Sequence, residues 1–486
     1  MKLRNKIILI CIFLFLCLAV RMIMLDVFPG HEADEGWWSM PAKNAILTGN
    51  WAYGGRPHVF LSPVFCGLTY GVYRIFGIGI VQARSISAIF GLFSIVLVFL
   101  IGRRLYGTKI GLISAFFYGM NAFVININRK AFVESVQIFF IMLSFYYWIS
   151  SKDSKRMLSG VFFGLAMLTK LNIYFILVPF FIWEVLRVSL QSPFSLKVRY
   201  LFSRTNIREC FRLIIPAVIV FFSVHLVMFL LDRDNYILSY RIVAQSKYYL
   251  NPEAMLESLK YILITAPFLF LFSTLLCINA VIQRNVTASR WTLMWWYGFV
   301  LFWLCIVSGY QPNRFFMILY PVMALLSADF LNHIKDFWPK RLKKRLSSSR
   351  EKLMIVVLLI AITGFQSLSL AARYFRFRDD TEKKISLYLR EKIDATARVG
   401  GYSVFCLDIP NVCVDIYARR GGLFSRLGYT REYIIREYNI RYILFNRDLS
   451  HVGYHPFFSQ YLNQNGELLT TIGTFEIWKL DLPKIE

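Results

Sequence analysis

Apolar runs of membrane-crossing length constrain this chain more than any other feature. A helix needs about 20 apolar residues to cross a hydrocarbon core about 30 Å thick, and runs of that order recur from the N-terminus to about residue 371. Eleven stretches qualify as spanning helices: about 7–25, 86–102, 110–127, 133–150, 157–169, 172–186, 213–231, 259–282, 291–308, 315–331 and 353–371. The fifth and sixth are short and flank Lys170, where a tilt or break is expected. A further stretch, 59–76, is interrupted by Ser62, Pro63, Gly67, Gly71 and Arg74 and reads as interfacial or re-entrant. Over 486 residues the chain is 57% hydrophobic and 17% charged, against about 25% charged in soluble domains. It is therefore a polytopic membrane protein and not a soluble enzyme, a disordered regulator or a disulfide scaffold.

The formal net charge of +26 would suggest nucleic acid in a soluble chain, but its placement argues for a membrane. Basic residues crowd short connections between apolar runs: Lys2, Arg4 and Lys6; Arg103, Arg104 and Lys109; Lys152, Lys155 and Arg156; and the stretches 187–212 and 335–352. Cytoplasmic loops carry this bias, and anionic inner-leaflet lipid is the partner it implies. Keeping these loops inside requires 59–76 not to span. The topology expected is N-terminus inside and C-terminus outside. MKLRNK followed by an apolar run to Leu25, without a small-x-small cleavage site, reads as a retained signal anchor. Six of the eight cysteines lie in or beside apolar segments and read as small hydrophobes. For Cys406 and Cys413, in the polar C-terminal region, pairing and two free thiols both remain open.

From about residue 373 the composition becomes that of a soluble domain, giving an organisation of 1–372 (membrane) and 373–486 (an extracytoplasmic α/β domain). Residues 380–393 form an amphipathic pattern with Ile385, Leu389 and Ile393 on one face, and 431–438 a second helix. YSVFCL (402–407), IRYILF (440–445), LLTTIG (468–473) and FEIWKL (475–480) read as strands.

The outer loops hold the residues that could do chemistry. HEADEGWW (31–38) places Asp34 and Glu35 a few residues past the first span, beside a tryptophan pair. A hydrated loop with interfacial Trp anchors is the plain alternative. A functional reading makes one carboxylate a general base toward an attacking hydroxyl. Consecutive residues diverge by about 100° on a helix, so the other is a structural or metal-binding partner. Glu134 begins an otherwise apolar helix, where an ionisable group faces a cavity or a partner; a local pair with Arg129 or Lys130 is the competing reading. Lys170 sits between two apolar half-spans, either snorkelling or serving as counter-ion to a lipid phosphate. Arg84 and Arg314 are weaker candidates of the same kind, and Arg21 is expected to snorkel.

The order of these features forms a pattern. An Asp-Glu pair follows the first span, then TGNW (48–51), a proline-bearing segment ending RIFGIG (74–79), VQARSISAIFGL (81–92), the basic turn GRRLYG (102–107), Arg129 and Glu134 spaced Arg-x4-Glu, and LTK (168–170). This resembles the GT-C type membrane glycosyltransferases, in the branch holding protein O-mannosyltransferases and lipid A aminoarabinose transferases. The resemblance covers about 7–190 and continues loosely through RFFMILYPVMALL (314–326) and the outer domain. It implies inverting transfer of a sugar from a polyprenyl-phosphate donor to a protein, lipid A or other envelope glycan. The active site would lie at the extracytoplasmic face of a bacterial-type inner or plasma membrane. Asp34 is then the base, with Glu35 beside it and Glu134 shaping the same pocket. Lys170 contacts the donor phosphate, Arg84 and Arg129 help, and Arg314 contacts donor or acceptor. The superfamily admits a divalent metal, for which Asp34 and Glu134 would be the ligands, without these residues demanding one. FLSPV (60–64) lacks the lysine and paired prolines frequent in the branch, so donor specificity does not carry over. A transporter or flippase for a lipid-linked glycan is the alternative. It should show two similar halves, and none is evident.

Overall fold

The computed structural model describes residues 3–30, 32–53, 57–150, 153–171, 176–189, 204–244, 252–283, 287–303, 313–333, 372, 380–401, 408–416, 431–446 and 455–481. The apolar runs within these limits fold as helices. The first are α1 (Leu3–Met22), α4 (Ile80–Tyr106), α5 (Thr108–Gly119), α6 (Ala122–Asn128), α7 (Val133–Trp148), α8 (Asp153–Thr169) and α9 (Leu177–Ser189). After them come α10 (Arg204–Leu231), α12 (Pro252–Thr265), α13 (Pro267–Gln283), α14 (Ala288–Phe302) and α15 (Tyr320–Asn332). Between α10 and α12 lies the polar α11 (Arg233–Ala244). The expected eleventh span, 353–371, and the start of the sixth, 172–175, lie outside the described residues.

Two expected straight spans are broken. The 110–127 run bends by 63° between α5 and α6, where the Asn121 side chain accepts from the amides of Phe123 (3.0 Å) and Val124 (3.1 Å) and starts a new helix. The 259–282 run bends by 112° at Ala266. Pro267 has no N–H to continue the ladder and crowds the residue before it, so the helix ends and a second begins with proline in its first turn. By length and apolarity alone, three helices of the described residues cross a bilayer, or five if each bent pair counts as one.

Close packing of the bundle depends on missing side chains. A Cβ at Gly160 of α8 would lie 2.3 Å from the Leu213 carbonyl of α10, and one at Gly164 would lie 2.9 Å from the Ala217 carbonyl. This small-xxx-small face lets the backbones approach. Arg21 does not snorkel. It is fully buried and donates to Cys17 O (2.9 Å), Gly119 O (2.9 Å) and Asn128 Oδ1 (3.0 Å), tying α1 to α5 and α6.

The first outer loop is helical. α2 (Ala33–Thr48) starts with a capping box of Glu32 and Glu35 and ends at Gly49, whose φ of 73° is the left-handed conformation glycine accepts most readily. A 3₁₀ turn (Pro57–Phe60) leads to α3 (Pro63–Phe76). At 14 residues α3 is about 21 Å long, too short to span. It buries Phe65, Cys66, Thr69 and Tyr73 on one side and leaves Ile75 and Phe76 exposed. The tryptophans pack on protein: Trp37 stacks on His58 (centroids 5.6 Å apart) and Trp38 meets the same ring edge-on (5.5 Å).

The C-terminal region is a five-stranded mixed sheet, order β2-β1-β3-β5-β4. β1 (Arg398–Gly401) pairs in parallel with β2 (Cys413–Asp415) and β3 (Ile440–Asn446), while β5 (Phe475–Leu480) is antiparallel to β3 and β4 (Gly466–Ile472). Helices α16 (Thr381–Lys392), α17 (Arg431–Glu437) and α18 (His455–Asn465) pack with it. The expected strand 402–407 and Cys406 lie outside the described residues; Cys413 is buried. This region is not merely tethered. Met40 of α2 and Ile80 of α4 are buried in the same apolar core as Ile385, Leu389 and Ile477.

Candidate active site

The ends of four elements meet at a small cluster of charge. Asp34 lies in the first turn of α2, where the helix dipole favours an anion. Glu134 lies in the first turn of α7, and Lys170 follows the last turn of α8. Arg314 opens the 3₁₀ turn Asn313–Leu319 that feeds α15. Arg314 pairs through one amino nitrogen with Asp34 and through Nε with Glu134 Oε1 (3.1 Å), while Lys170 Nζ is 2.6 Å from the same Glu134 oxygen. Two carboxylates and two cations thus form a continuous chain. Their side chains are only 4–15% exposed, so the charges interact across a medium of lower dielectric than water.

Aromatic faces hold the cations in place. Lys170 Nζ sits 3.7 Å from the centroid of Phe315, and Arg314 lies over Phe132 (5.0 Å) and Phe315 (5.6 Å). The LTK turn is pinned by Gln137, which donates to Lys170 O (2.7 Å), and by Ser62 Oγ, which donates to Thr169 O (2.7 Å). Glu134 Oε2 is buried with no hydrogen-bond partner among the described residues, an acceptor left unsatisfied at a cost of about 1–3 kcal/mol. Burial raises the Asp34 carboxyl above the ordinary aspartate range; Arg314 works against this and Glu134 adds to it.

Other expected site residues are placed elsewhere. Glu35 points away from Asp34, fully buried: Oε1 accepts from Glu32 N (3.1 Å) and Arg84 (2.7 Å), Oε2 from Arg84 Nε (2.8 Å) and Ala131 N (2.8 Å). Both oxygens are engaged by protein donors, an arrangement that suits a structural acid and not the catalytic one expected. Arg84, expected at the donor phosphate, makes the bidentate half of that pair and donates its remaining amino group to Leu25 O (2.8 Å). Arg129, expected there too, is fully buried. It donates to Val20 O (2.6 Å), Ile23 O (2.5 Å) and Phe28 O (2.9 Å), fastening the end of α1. Neither arginine is available to a ligand. Glu134 pairs with Lys170 and Arg314, not with the neighbouring Arg129 or Lys130.

Lys130 is an addition to the expected set. It pairs with Glu32 and lies 5.6 Å from the centroid of Phe132, the ring that Arg314 also covers. Burial, then the Arg314 charge, pull its ammonium pKa down to about 8. Its signal in the sequence is its position, a cation between Glu32 and Glu134 in the chain with no acid beside it. For a divalent metal the arrangement offers two carboxylates, Asp34 and Glu134, with Arg314 between them. Among the described residues no three His, Cys, Asp or Glu side chains stand together, and the Arg314 guanidinium occupies the place between Asp34 and Glu134 that a cation would need. His31 lies outside the described residues.

A cavity of about 580 Å³ opens on the far side of the 57–63 segment, lined among the described residues by Asn50, Trp51, Phe60, Pro63, Met228 and Asp232. Leu230 and Leu231, at the end of α10 beside it, are among the most exposed apolar side chains of the molecule. Pro63, in its lining, follows Ser62, whose Oγ donates to Thr169 O (2.7 Å) next to Lys170.

Fold and site together describe an integral membrane protein with a buried charge cluster and a small C-terminal α/β domain packed on its helices. Residues 61–229 match the family model described as dolichyl-phosphate-mannose-protein mannosyltransferase. That match takes in Glu134 and Lys170 but neither Asp34 nor Arg314. An uncharacterised protein of Aquifex aeolicus is 27% identical over 343 residues, 65% of this chain, and the match spans 64% of the relative's length. ArnT from Cupriavidus metallidurans, solved bound to undecaprenyl phosphate, superposes with a TM-score of 0.68 at 12% identity, covering 98% of both chains. The oligosaccharyltransferase of Archaeoglobus fulgidus, solved with a tethered acceptor peptide, gives 0.57 at 13% identity over 100% of this chain and 75% of its own. The resemblance to GT-C type membrane glycosyltransferases read from the sequence holds at the level of fold.

Proposed function

We propose that the protein is an inverting glycosyltransferase that moves a sugar from a polyprenyl-phosphate donor to an envelope acceptor. The active site is at the extracytoplasmic face of a bacterial-type inner or plasma membrane. The observation that carries this reading is the Asp34–Arg314–Glu134–Lys170 chain, a base and two cations closed off from solvent at the outer ends of apolar helices. A polyprenyl phosphosugar carries its phosphate at headgroup level and its chain in lipid, and the cavity beside the exposed end of α10 gives such a molecule an approach from the bilayer. ArnT, similar over its whole length, was solved with undecaprenyl phosphate.

In this reading the donor phosphate competes with Asp34 for Arg314 and with Glu134 for Lys170. Asp34 loses its counter-ion, and its buried carboxylate becomes a better base. It takes the proton from the acceptor hydroxyl as that oxygen attacks the anomeric carbon from the face opposite the phosphate. The C1–O bond breaks, its electron pair stays with the phosphate oxygen, and Lys170 and Arg314 stabilise the charge that develops there. Glu134 Oε2, unpartnered as it stands, accepts a hydrogen bond from a sugar hydroxyl.

The test compares lipid-linked sugars and surface glycans in a deletion strain complemented with wild type or Asp34→Asn. Wild type restores the missing glycan; Asp34→Asn, present in membranes at wild-type abundance, does not and leaves the lipid-linked donor to accumulate. Restoration by Asp34→Asn removes Asp34 as the base. The acceptor, whether protein, lipid A or another glycan, is identified by what the deletion strain lacks.

A further inference from the structure

Beyond the shared apolar core, two hydrogen bonds from adjoining residues of the C-terminal domain reach α4 and α2, the helix whose first turn bears Asp34. Asp408 Oδ1 accepts the amide of Ile80 at 2.6 Å, so the soluble domain supplies from outside the cap that α4 lacks: its own N-cap residue is Gly79, with no side chain to offer. A Cβ on Gly79 would lie 3.3 Å from the same carboxylate. Next along the chain, the Ile409 carbonyl accepts from the fully buried Lys43 Nζ of α2 at 2.6 Å. Arg390 Nε holds the Asp408 carbonyl at 2.5 Å, bracing the loop against α16. One turn beyond Ile80 is Arg84, whose fork grips Glu35, the residue next to Asp34.

We propose that Asp408 and Lys43 are positioning residues, and that the outer domain holds α2 and α4 in the one register that aims Asp34 at Arg314 and Glu134. The domain then acts on the reaction without touching substrate. A helix start shifted by an ångström would carry the base out of reach of the hydroxyl it must deprotonate. This role for the domain rests on Asp34 being the base, but the latch itself is a statement about backbone order and is testable without turnover.

The experiment is amide hydrogen exchange on the full-length protein in nanodiscs, comparing wild type, Asp408→Ala, Asp408→Asn and Lys43→Met. Asparagine keeps an oxygen that can accept from Ile80, and alanine does not. Asp408→Ala should speed exchange about fivefold over residues 80–84 and 33–37, the size of a lost helix cap, with residues 160–170 unchanged. Asp408→Asn should restore wild-type protection, and Lys43→Met should loosen α2, 33–37 included, without loosening 80–84. Unchanged exchange at 33–37 in both Asp408→Ala and Lys43→Met overturns the proposal, as does an Asp408→Asn variant no better protected than alanine. Should Asp408→Ala not fold, Lys43→Met and Asp408→Asn decide by the same two segments. Because exchange reads the backbone, a latch that fails here leaves the glycosyltransferase reading standing. If transfer chemistry fails instead, the exchange result is unaffected.

Discussion

Glu35 accepts four hydrogen bonds inside the protein, while Asp34, one residue earlier, meets only the Arg314 chain at the edge of the bundle. The 100° turn between successive helical residues separates a structural acid from a chemical one. The local residues left either acid as the base, and only the family resemblance named Asp34. The choice depends on Arg84 arriving from 49 positions away, a packing outcome that no local pattern records. The same holds for the cations: Lys170, Arg84, Arg129 and Arg314 all stand beside apolar runs, and only the folded bundle decides which are consumed by carbonyls and buried acids. The active form of Asp34 is the carboxylate, and burial raises its pKa, so turnover should fall as pH drops through a value above the ordinary aspartate figure of about 3.9. Arg314 opposes that rise, and its removal in Arg314→Gln moves the acid inflection of kcat/KM, which reports the donor-free enzyme, to higher pH. Glu134→Gln removes a repelling charge and moves it lower. An inflection that stays put in both variants disagrees with the electrostatics described.

At the scale of elements, apolar runs announced α1, α4, α7 and α10 because helices of membrane-crossing bundles need little more than length and apolarity. α2 was hidden. Its sixteen residues are buried against protein on several sides, carry Lys43 and Asn44 inward and hold Pro41, so neither run nor stripe marks it. The 112° bend had a visible cause in Pro267, but its size depends on what α12 and α13 pack against. β1, Arg-Val-Gly-Gly, is a strand by virtue of its neighbours β2 and β3, with almost no intrinsic preference of its own. The Arg84–Glu35 pair joins α4 to α2, and Arg84→Met would leave a carboxylate buried without its counter-ion. Removing one partner of such a pair costs about 3–5 kcal/mol. Thermal unfolding in detergent should show a clear drop in Tm together with low yield. A variant with unaltered Tm but weakened donor binding would mean that Arg84 serves the ligand after all.

Over the whole molecule, charge placement sets orientation, and the account needs the Asp34 cluster outside. Asn50, exposed just past α2, and Lys109, exposed in the basic turn of α5, lie on opposite sides of the bilayer in this topology. In intact cells a membrane-impermeant thiol reagent should label Asn50→Cys and should reach Lys109→Cys only after permeabilisation. The reverse pattern would turn the site toward the cytosol and remove the lipid-linked donor from the scheme. The central claim is a division of labour: cations for the carrier phosphate, Asp34 for the acceptor. Affinity for undecaprenyl phosphate across two variants tests it most directly. Lys170→Met should weaken binding about tenfold, the worth of one charge-assisted hydrogen bond. Asp34→Asn, by releasing Arg314, should bind the carrier at least as tightly as wild type. A Lys170→Met variant that binds like wild type, or an Asp34→Asn variant that loses the carrier, would contradict the account.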